Sequence, residues 1–381
     1  MFTRLFIAAF TFVCLLAQTA AALETTARSA LVVDYNTGTV LLEKNAYEAM
    51  PPASMSKLMT LNLVFEALED GRLTLEDTFR VSTNASQKGG SKMFVREGAR
   101  VRIEDLIRGV IVQSGNDACI VLAEGLAGTE AAFAKRMTQR AFELGMDNSH
   151  FVNSTGWPDP GQEMSAADLV FLATRIIEKF PQYYTFFAEE TFTWENITQN
   201  NRNPLLGLGI GADGLKTGHT EEAGYGLVGS AVSNGRRIIF MIGGMETPLA
   251  RSTEAERIAR WAFREWGMKT LFKGGEPVDR ANVWLGATDS VEMALDGDIE
   301  LLLPLEGLDQ ITAHYTYADP IEAPIRAGQQ LGELVITLPT GEDMKYPLNA
   351  LTAVEPGGFV ERVQAATDIL LMRIRAATSG G

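Results

Sequence analysis

Ser54 and Lys57 stand three residues apart in the stretch Pro51-Pro52-Ala53-Ser54-Met55-Ser56-Lys57-Leu58-Met59-Thr60. The prolines mark a turn. The run from Leu58 to Leu68 is apolar on most sides, which predicts a buried helix. Residues three apart share a helix face, so the hydroxyl and the amine can meet there. A helix start adds free N–H groups and partial positive charge beside Ser54. This suits a serine nucleophile with a lysine as its base. Serine at a helix start is also an ordinary N-cap. Two facts favour chemistry: the chain has no other Ser-x-x-Lys, and so apolar a helix would strip Lys57 of solvent.

Two further short motifs carry polar groups. Ser114-Gly115-Asn116 falls between two helix candidates, and Lys216-Thr217-Gly218 enters a strand. Each alone reads as a turn or a strand edge, and Ser82-Thr83-Asn84 shows that Ser-x-Asn also arises elsewhere. The three motifs in this order are far more specific.

The elements that must position them follow from periodicity. Ser29–Tyr35 and Thr39–Glu43, joined by Asn36-Thr37-Gly38, read as a β-hairpin. Helices are expected over Ile103–Ile111, Asp117–Leu126, Glu130–Leu144 and Ala166–Lys179, with a long mobile loop over Ser82–Gly98. Sheet returns after Leu205. Asp213–His219 precedes the strands Gly224–Val232 and Arg236–Met245, and Ser252–Trp266 closes the unit as an amphipathic helix. The fold class is α+β: an antiparallel sheet covered by helices, with a helical insertion. From Val278 to Leu351 six short strands predict a small all-β domain. Beyond Pro356-Gly357-Gly358 a last helix to about Ala377 collects Phe359, Val363, Ala366, Leu370, Ile374 and Ala377 on one face. Such a helix at a chain end can lie in a membrane surface.

Composition narrows the function further. The formal net charge of −15 argues against nucleic acid as a partner. Arg4, the apolar run Leu5–Leu16 and Ala20-Ala21-Ala22 form a signal peptide with cleavage after Ala22. Cys14 leaves with it, and Cys119 remains as a lone, buried structural thiol. His150, His219 and His314 are scattered without zinc spacing; there is no phosphate loop after a strand and no Gly-x-Ser-x-Gly elbow. No metal and no cofactor are expected.

The sequence resembles the low-molecular-mass penicillin-binding proteins that act as D-alanyl-D-alanine carboxypeptidases. The resemblance rests on Pro-Ala-Ser-Met-Ser-Lys-Leu-Met-Thr at 52–60, Leu-Ile-Arg-Gly at 106–109, Gln-Ser-Gly-Asn-Asp-Ala at 113–118, Asn-Arg-Asn at 201–203 and Asp-Gly-Leu-Lys-Thr-Gly-His-Thr at 213–220. Glu221 and Glu222 depart from the small residues usual after the third motif.

The resemblance implies a signal peptide over 1–22, a DD-peptidase catalytic domain over 23–275, a β-domain over 276–352, and a linker with a membrane-anchor helix over 353–381. It implies Ser54 as nucleophile, Lys57 as base, Ser114 as proton relay and Asn116 as support for Lys57 or the substrate amide. Lys216, Thr217 and Gly218 would bind the substrate, with Arg202 or Arg251 helping to hold its terminal carboxylate. The N–H groups of Ser54 and His219 would form an oxyanion hole. The implied partners are peptidoglycan stem peptides and, as covalent inhibitors, β-lactams. The implied location is the periplasmic face of the cytoplasmic membrane. A β-lactamase, a DD-endopeptidase and an inactive peptidoglycan-binding protein share these motifs and stay open as alternatives.

Overall fold

The computed structural model describes residues 23–306, 308–338, 341–359, 363 and 367. The expected signal peptide, and nearly all of the expected terminal helix, lie outside them.

The chain divides into two compact units between Ala262 and Phe263. The first is built on an antiparallel sheet of β1 (Ser29–Asp34), β2 (Val40–Lys44), β3 (Ala212–Thr220), β4 (Gly224–Ser233) and β5 (Arg236–Met245). The strand order is β2-β1-β5-β4-β3, so β3 is an edge strand. The first hairpin and the β4–β5 hairpin form as their turn residues dictate, with Asn234 and Gly235 both at positive φ.

The longer helices among the described residues are α1 (Lys57–Glu69), α2 (Ile103–Ile111), α3 (Asn116–Ala127), α4 (Glu130–Glu143), α5 (Ala166–Lys179) and α6 (Pro248–Arg264). Thr129 and Ser165 cap α4 and α5 by accepting from Ala132 N and Asp168 N. The core of this unit gathers Leu58, Leu61, Val64 and Phe65 of α1 with Ile120 and Val121 of α3 and Leu169, Leu172 and Ile176 of α5. Helix α1 is buried on most sides, as its composition requires.

Four expectations change. Ser82–Gly98 is not a mobile loop: it holds a short helix, Thr83–Gln87, and buries Met93 and Val95. The cause is Asp117, whose fully buried carboxylate accepts from the backbone N–H groups of Met93 (2.8 Å), Phe94 (2.8 Å) and Val95 (3.2 Å). Asp213–His219 does not merely precede the sheet but lies within strand β3. Trp266 is not on the closing helix. It starts a strand, Trp266–Phe272, that pairs with Ile299–Pro304, so the second unit begins near 263 rather than at 276. The pairs Thr78–Arg80 with Arg100–Arg102, and Thr191–Trp194 with Ile197–Asn200, are short strands that sequence periodicity does not reveal.

Among its described residues the second unit is mostly β, with the last two residues of α6, one turn of 3₁₀ helix at Leu308–Gln310, and Phe359, Val363 and Thr367 helical. A six-stranded sheet runs Thr312–Tyr317, Gln330–Thr337, Asp343–Ala350, Ser290–Ala294, Pro277–Trp284 and Ile321–Glu322. Its own core includes Val291, Met293, Leu334, Ile336 and Leu348.

Candidate active site

The Pro51-Pro52 turn passes into one turn of 3₁₀ helix, Ala53–Ser56, which runs directly into α1. Ser54 sits in this tight turn and Lys57 is the first residue of α1. Lys57 is completely buried, and its Nζ has three partners: Ser54 Oγ at 2.8 Å, Asn116 Oδ1 at 2.8 Å and Thr155 O at 2.5 Å. Asn116 Nδ2 donates to Gly89 O at 2.9 Å, which fixes the amide so that its oxygen faces the lysine.

Thr155 O is delivered by a side-chain-closed turn. Asn153 Oδ1 accepts from the backbone N–H groups of Thr155, Gly156 and Trp157. Gly156 has φ +76°, and a Cβ there would meet Ala53 O at 1.8 Å. Only glycine lets this loop close over the nucleophile's turn.

No carboxylate lies within ion-pair distance of Lys57 among the described residues. Burial therefore lowers its pKa from the ordinary lysine range to about 8, and Arg202 pushes the same way. The neutral amine has two N–H groups and one lone pair. Asn116 Oδ1 and Thr155 O are pure acceptors and take both N–H groups. Ser54 Oγ, which can donate, faces the lone pair. The geometry is that of a base poised to take the serine proton.

Ser114 and Lys216 form the second half of the site. Lys216 Nζ lies 2.9 Å from Ser114 Oγ and 3.1 Å from Thr217 O, and both side chains are buried. Burial holds the Lys216 pKa well below its usual value, and the cations Lys57, Arg202 and Arg251 add to this. Ser114 takes φ +55°, a left-handed conformation uncommon for serine and typical of functional turns. Strand β3 lies close against the 3₁₀ turn: a Cβ on Gly218 would come within 2.9 Å of Pro52 O and 3.2 Å of Ala53 Cβ. Thr217 is buried beside Lys216, and His219 is exposed at the far end of the motif.

The two candidate arginines differ in setting. Arg202 donates Nη1 to Ser91 Oγ. Arg251 lies over the Tyr225 ring, 5.8 Å from its centroid, and Tyr225 stacks on His219 at 3.7 Å. Its Nε is buried and unpartnered among the described residues. Neither arginine has a salt-bridge partner there, so the site gathers uncompensated positive charge on a protein of net charge −15. That charge suits a substrate bearing a carboxylate.

The structure thus joins Ser54, Lys57 and Asn116 directly, and Ser114, Lys216 and Thr217 beside them. Sequence reasoning missed Thr155 O, Gly89 O and Asp117. The first two are backbone carbonyls with no residue signature. Asp117 directly follows the Ser-Gly-Asn motif, and its place at a helix start was the available signal.

The same architecture occurs in characterised proteins. Residues 16–247 match the family described as D-alanyl-D-alanine carboxypeptidase, and residues 266–356 match the C-terminal domain of penicillin-binding protein 5. The chain is 36% identical to D-alanyl-D-alanine carboxypeptidase DacD of Escherichia coli K12 over 88% of its length and 89% of that protein. A D-alanyl-D-alanine endopeptidase of Pseudomonas aeruginosa is 32% identical, but over only 61% of this chain and 76% of that protein. Among solved structures, DacD from Francisella tularensis superposes with a TM-score of 0.74 at 31% identity, covering 88% of this chain and 95% of that one. Penicillin-binding protein 6B from Escherichia coli gives 0.68 at 33% identity, covering 86% and 97%. Both units, and not the catalytic fold alone, fall within the matches to the two DacD proteins and to penicillin-binding protein 6B, and the chain belongs to the D-alanyl-D-alanine carboxypeptidase family of serine peptidases.

Proposed function

We propose that this protein removes the terminal D-alanine from peptidoglycan stem pentapeptides through an acyl-enzyme on Ser54. The observation that carries the assignment is the buried Lys57 amine, whose two acceptor partners leave its lone pair to the Ser54 hydroxyl.

Ser54 Oγ attacks the carbonyl between the two D-alanines as its proton passes to Lys57 Nζ. The N–H groups of Ser54 and His219 hold the oxyanion; one such donor is worth about 3 kcal/mol. Collapse breaks the C–N bond, and the leaving amine takes a proton through Ser114. Water then attacks the ester, gives its proton to Lys57, and frees Ser54. Lys216, Thr217 and Gly218 bind the substrate along the β3 edge, and Arg202 or Arg251 completes the carboxylate site. An arriving carboxylate supplies the counter-charge that buried Lys216 lacks. β-Lactams, which also present an acyl group and a carboxylate, acylate Ser54 and inhibit.

The match of the second unit favours a carboxypeptidase over the endopeptidase and β-lactamase readings. We also assign the protein to the periplasmic face of the cytoplasmic membrane. The charged start and apolar run of residues 1–22 support export. The exposed Phe359 and Val363 fall on the apolar face of the expected terminal anchor. Among the described residues no helix is long and apolar enough to cross a membrane.

The test is Ser54→Ala. It abolishes D-alanine release from a pentapeptide and the one-to-one penicillin adduct seen by intact mass. Retained turnover moves the nucleophile elsewhere. Rapid penicillin consumption by the unaltered protein without a lasting adduct makes it a β-lactamase.

A further inference from the structure

Lys57 owes its two acceptors to two segments far apart in sequence. Residues 89–91 hold Asn116 at both ends: its Nδ2 donates to Gly89 O at 2.9 Å, and its backbone N–H donates to Ser91 O at 2.7 Å. Thr155 O comes from the turn that Asn153 closes. Trp157 belongs to that turn. Its N–H donates to Asn153 Oδ1 at 3.1 Å and Thr155 Oγ1 at 3.2 Å, and its carbonyl accepts from Asn153 Nδ2 at 3.0 Å. The Trp157 backbone therefore moves with Thr155.

The Trp157 side chain reaches the other segment. Lys88 Nζ sits over its ring, 4.7 Å from the centroid. A Cβ on Gly90 would meet Trp157 Cζ3 at 2.9 Å and Asn116 Nδ2 at 2.8 Å, and one on Gly89 would lie 3.6 Å from Trp157 Cη2. The missing side chains at 89 and 90 thus leave room for the indole edge beside the Gly89–Asn116 hydrogen bond. The contacts close into a ring. Lys57 bonds Thr155, the Asn153 turn joins Thr155 to Trp157, the indole lies on Gly89 and Gly90, and Gly89 leads through Asn116 back to Lys57. The indole is the apolar link in this ring, and Trp157 is 41% exposed. Water stands on its outer side and the base on its inner side.

We propose that Trp157 is a positioning residue for the base: by joining the two segments it keeps both Lys57 acceptors in place and water away from them. The inference rests on Lys57 as the base of the proposed reaction and names what holds that base. A gap between the segments admits water, and water stabilises an ammonium more than a neutral amine. The groups that act on Lys57 stay as they are when Trp157 changes. Arg202 and Lys216 oppose a further positive charge, and Asp117 and Glu130 favour one. The Cys119 thiol, pushed up to about 12 by burial, stays neutral. Trp157 itself carries no charge, so its loss acts through solvent and geometry.

The test follows the second-order constant for acylation by penicillin from pH 6 to 10 in the unaltered protein, Trp157→Ala, Trp157→Leu and Trp157→Phe. Such a constant reports ionisation of the free enzyme. In Trp157→Ala the rising limb moves up by about one pH unit and acylation at pH 7 falls about tenfold, while the plateau stays within about threefold. Trp157→Leu, which keeps bulk without a ring, moves the limb the same way by less. Trp157→Phe, which keeps a ring on Gly90, restores it. A limb that stays in place in Trp157→Ala and Trp157→Leu overturns the proposal, whatever the plateau does. A constant lowered equally at every pH assigns the indole to the acyl donor instead. If the unaltered protein acylates at one rate from pH 6 to 9, the Lys57 base falls and this inference falls with it.

Discussion

Asn116 Nδ2 donates to Gly89 O at 2.9 Å, and this bond decides which end of the Asn116 amide meets Lys57. Because the oxygen faces Nζ, one lysine N–H is engaged there and a second on Thr155 O. The serine-facing position is left for a lone pair once the amine is neutral.

The pH dependence follows from that geometry. Lys57 is lowered to about 8, chiefly by burial. At pH 7 roughly a tenth of the enzyme carries the neutral base, and the fraction rises as the pH passes 8. The acylation rate for a β-lactam therefore climbs about tenfold from pH 7 towards a plateau above pH 9. Stopped-flow or quenched-flow acylation across that range checks it; a rate flat from pH 6 to 9 would exclude Lys57 as the base.

Asn116→Asp keeps the shape and adds a negative charge beside Nζ. A carboxylate at hydrogen-bond distance favours the ammonium and raises the Lys57 pKa by about one to two units. Acylation at pH 7 falls about tenfold or more, and the rising limb of the pH profile moves to higher pH. An unchanged limb with a lower plateau would mean that Asn116 acts on the substrate alone.

Asp117 ties the 93–95 segment to the start of α3 through three backbone N–H groups. Asp117→Asn turns one acceptor into a donor facing an N–H. The cost is about 1–3 kcal/mol. Thermal unfolding shifts down by several degrees, and limited proteolysis finds a new cleavage site between Lys88 and Arg96.

Gly156→Ala places a methyl group against Ala53 O, at a position of φ +76°. The loop must withdraw, taking Thr155 O from Lys57. Penicillin acylation drops at least tenfold, and stability falls by about 2 kcal/mol or more, as strain and overpacking together predict. Calorimetry and adduct formation on the same sample separate the two effects.

Deletion of residues 359–381 releases the protein from bacterial membranes into the soluble fraction while D-alanine release persists. A full-length protein that is already soluble on fractionation ends the anchor reading.

The sequence by itself determined the pieces whose signal is local. Ser54 and Lys57 share a face because they are three apart at the start of one helix, and the apolar run behind them forces that helix inside. The first hairpin, α2 to α5 and six strands of the second unit follow from hydrophobic periodicity and turn residues for the same reason. Only the tertiary structure decided what completes the site. Thr155 reaches Lys57 across 98 residues, and Ser114 meets Lys216 across 102. A backbone carbonyl carries no side-chain signature, so no spacing rule finds Thr155 O or Gly89 O. The pairing of Trp266–Phe272 with Ile299–Pro304 was hidden likewise, because its first residue also continues a helical pattern. Burial then did what composition could not: by closing water away from Lys57 without giving it a carboxylate, the fold turned an ordinary cation into a base.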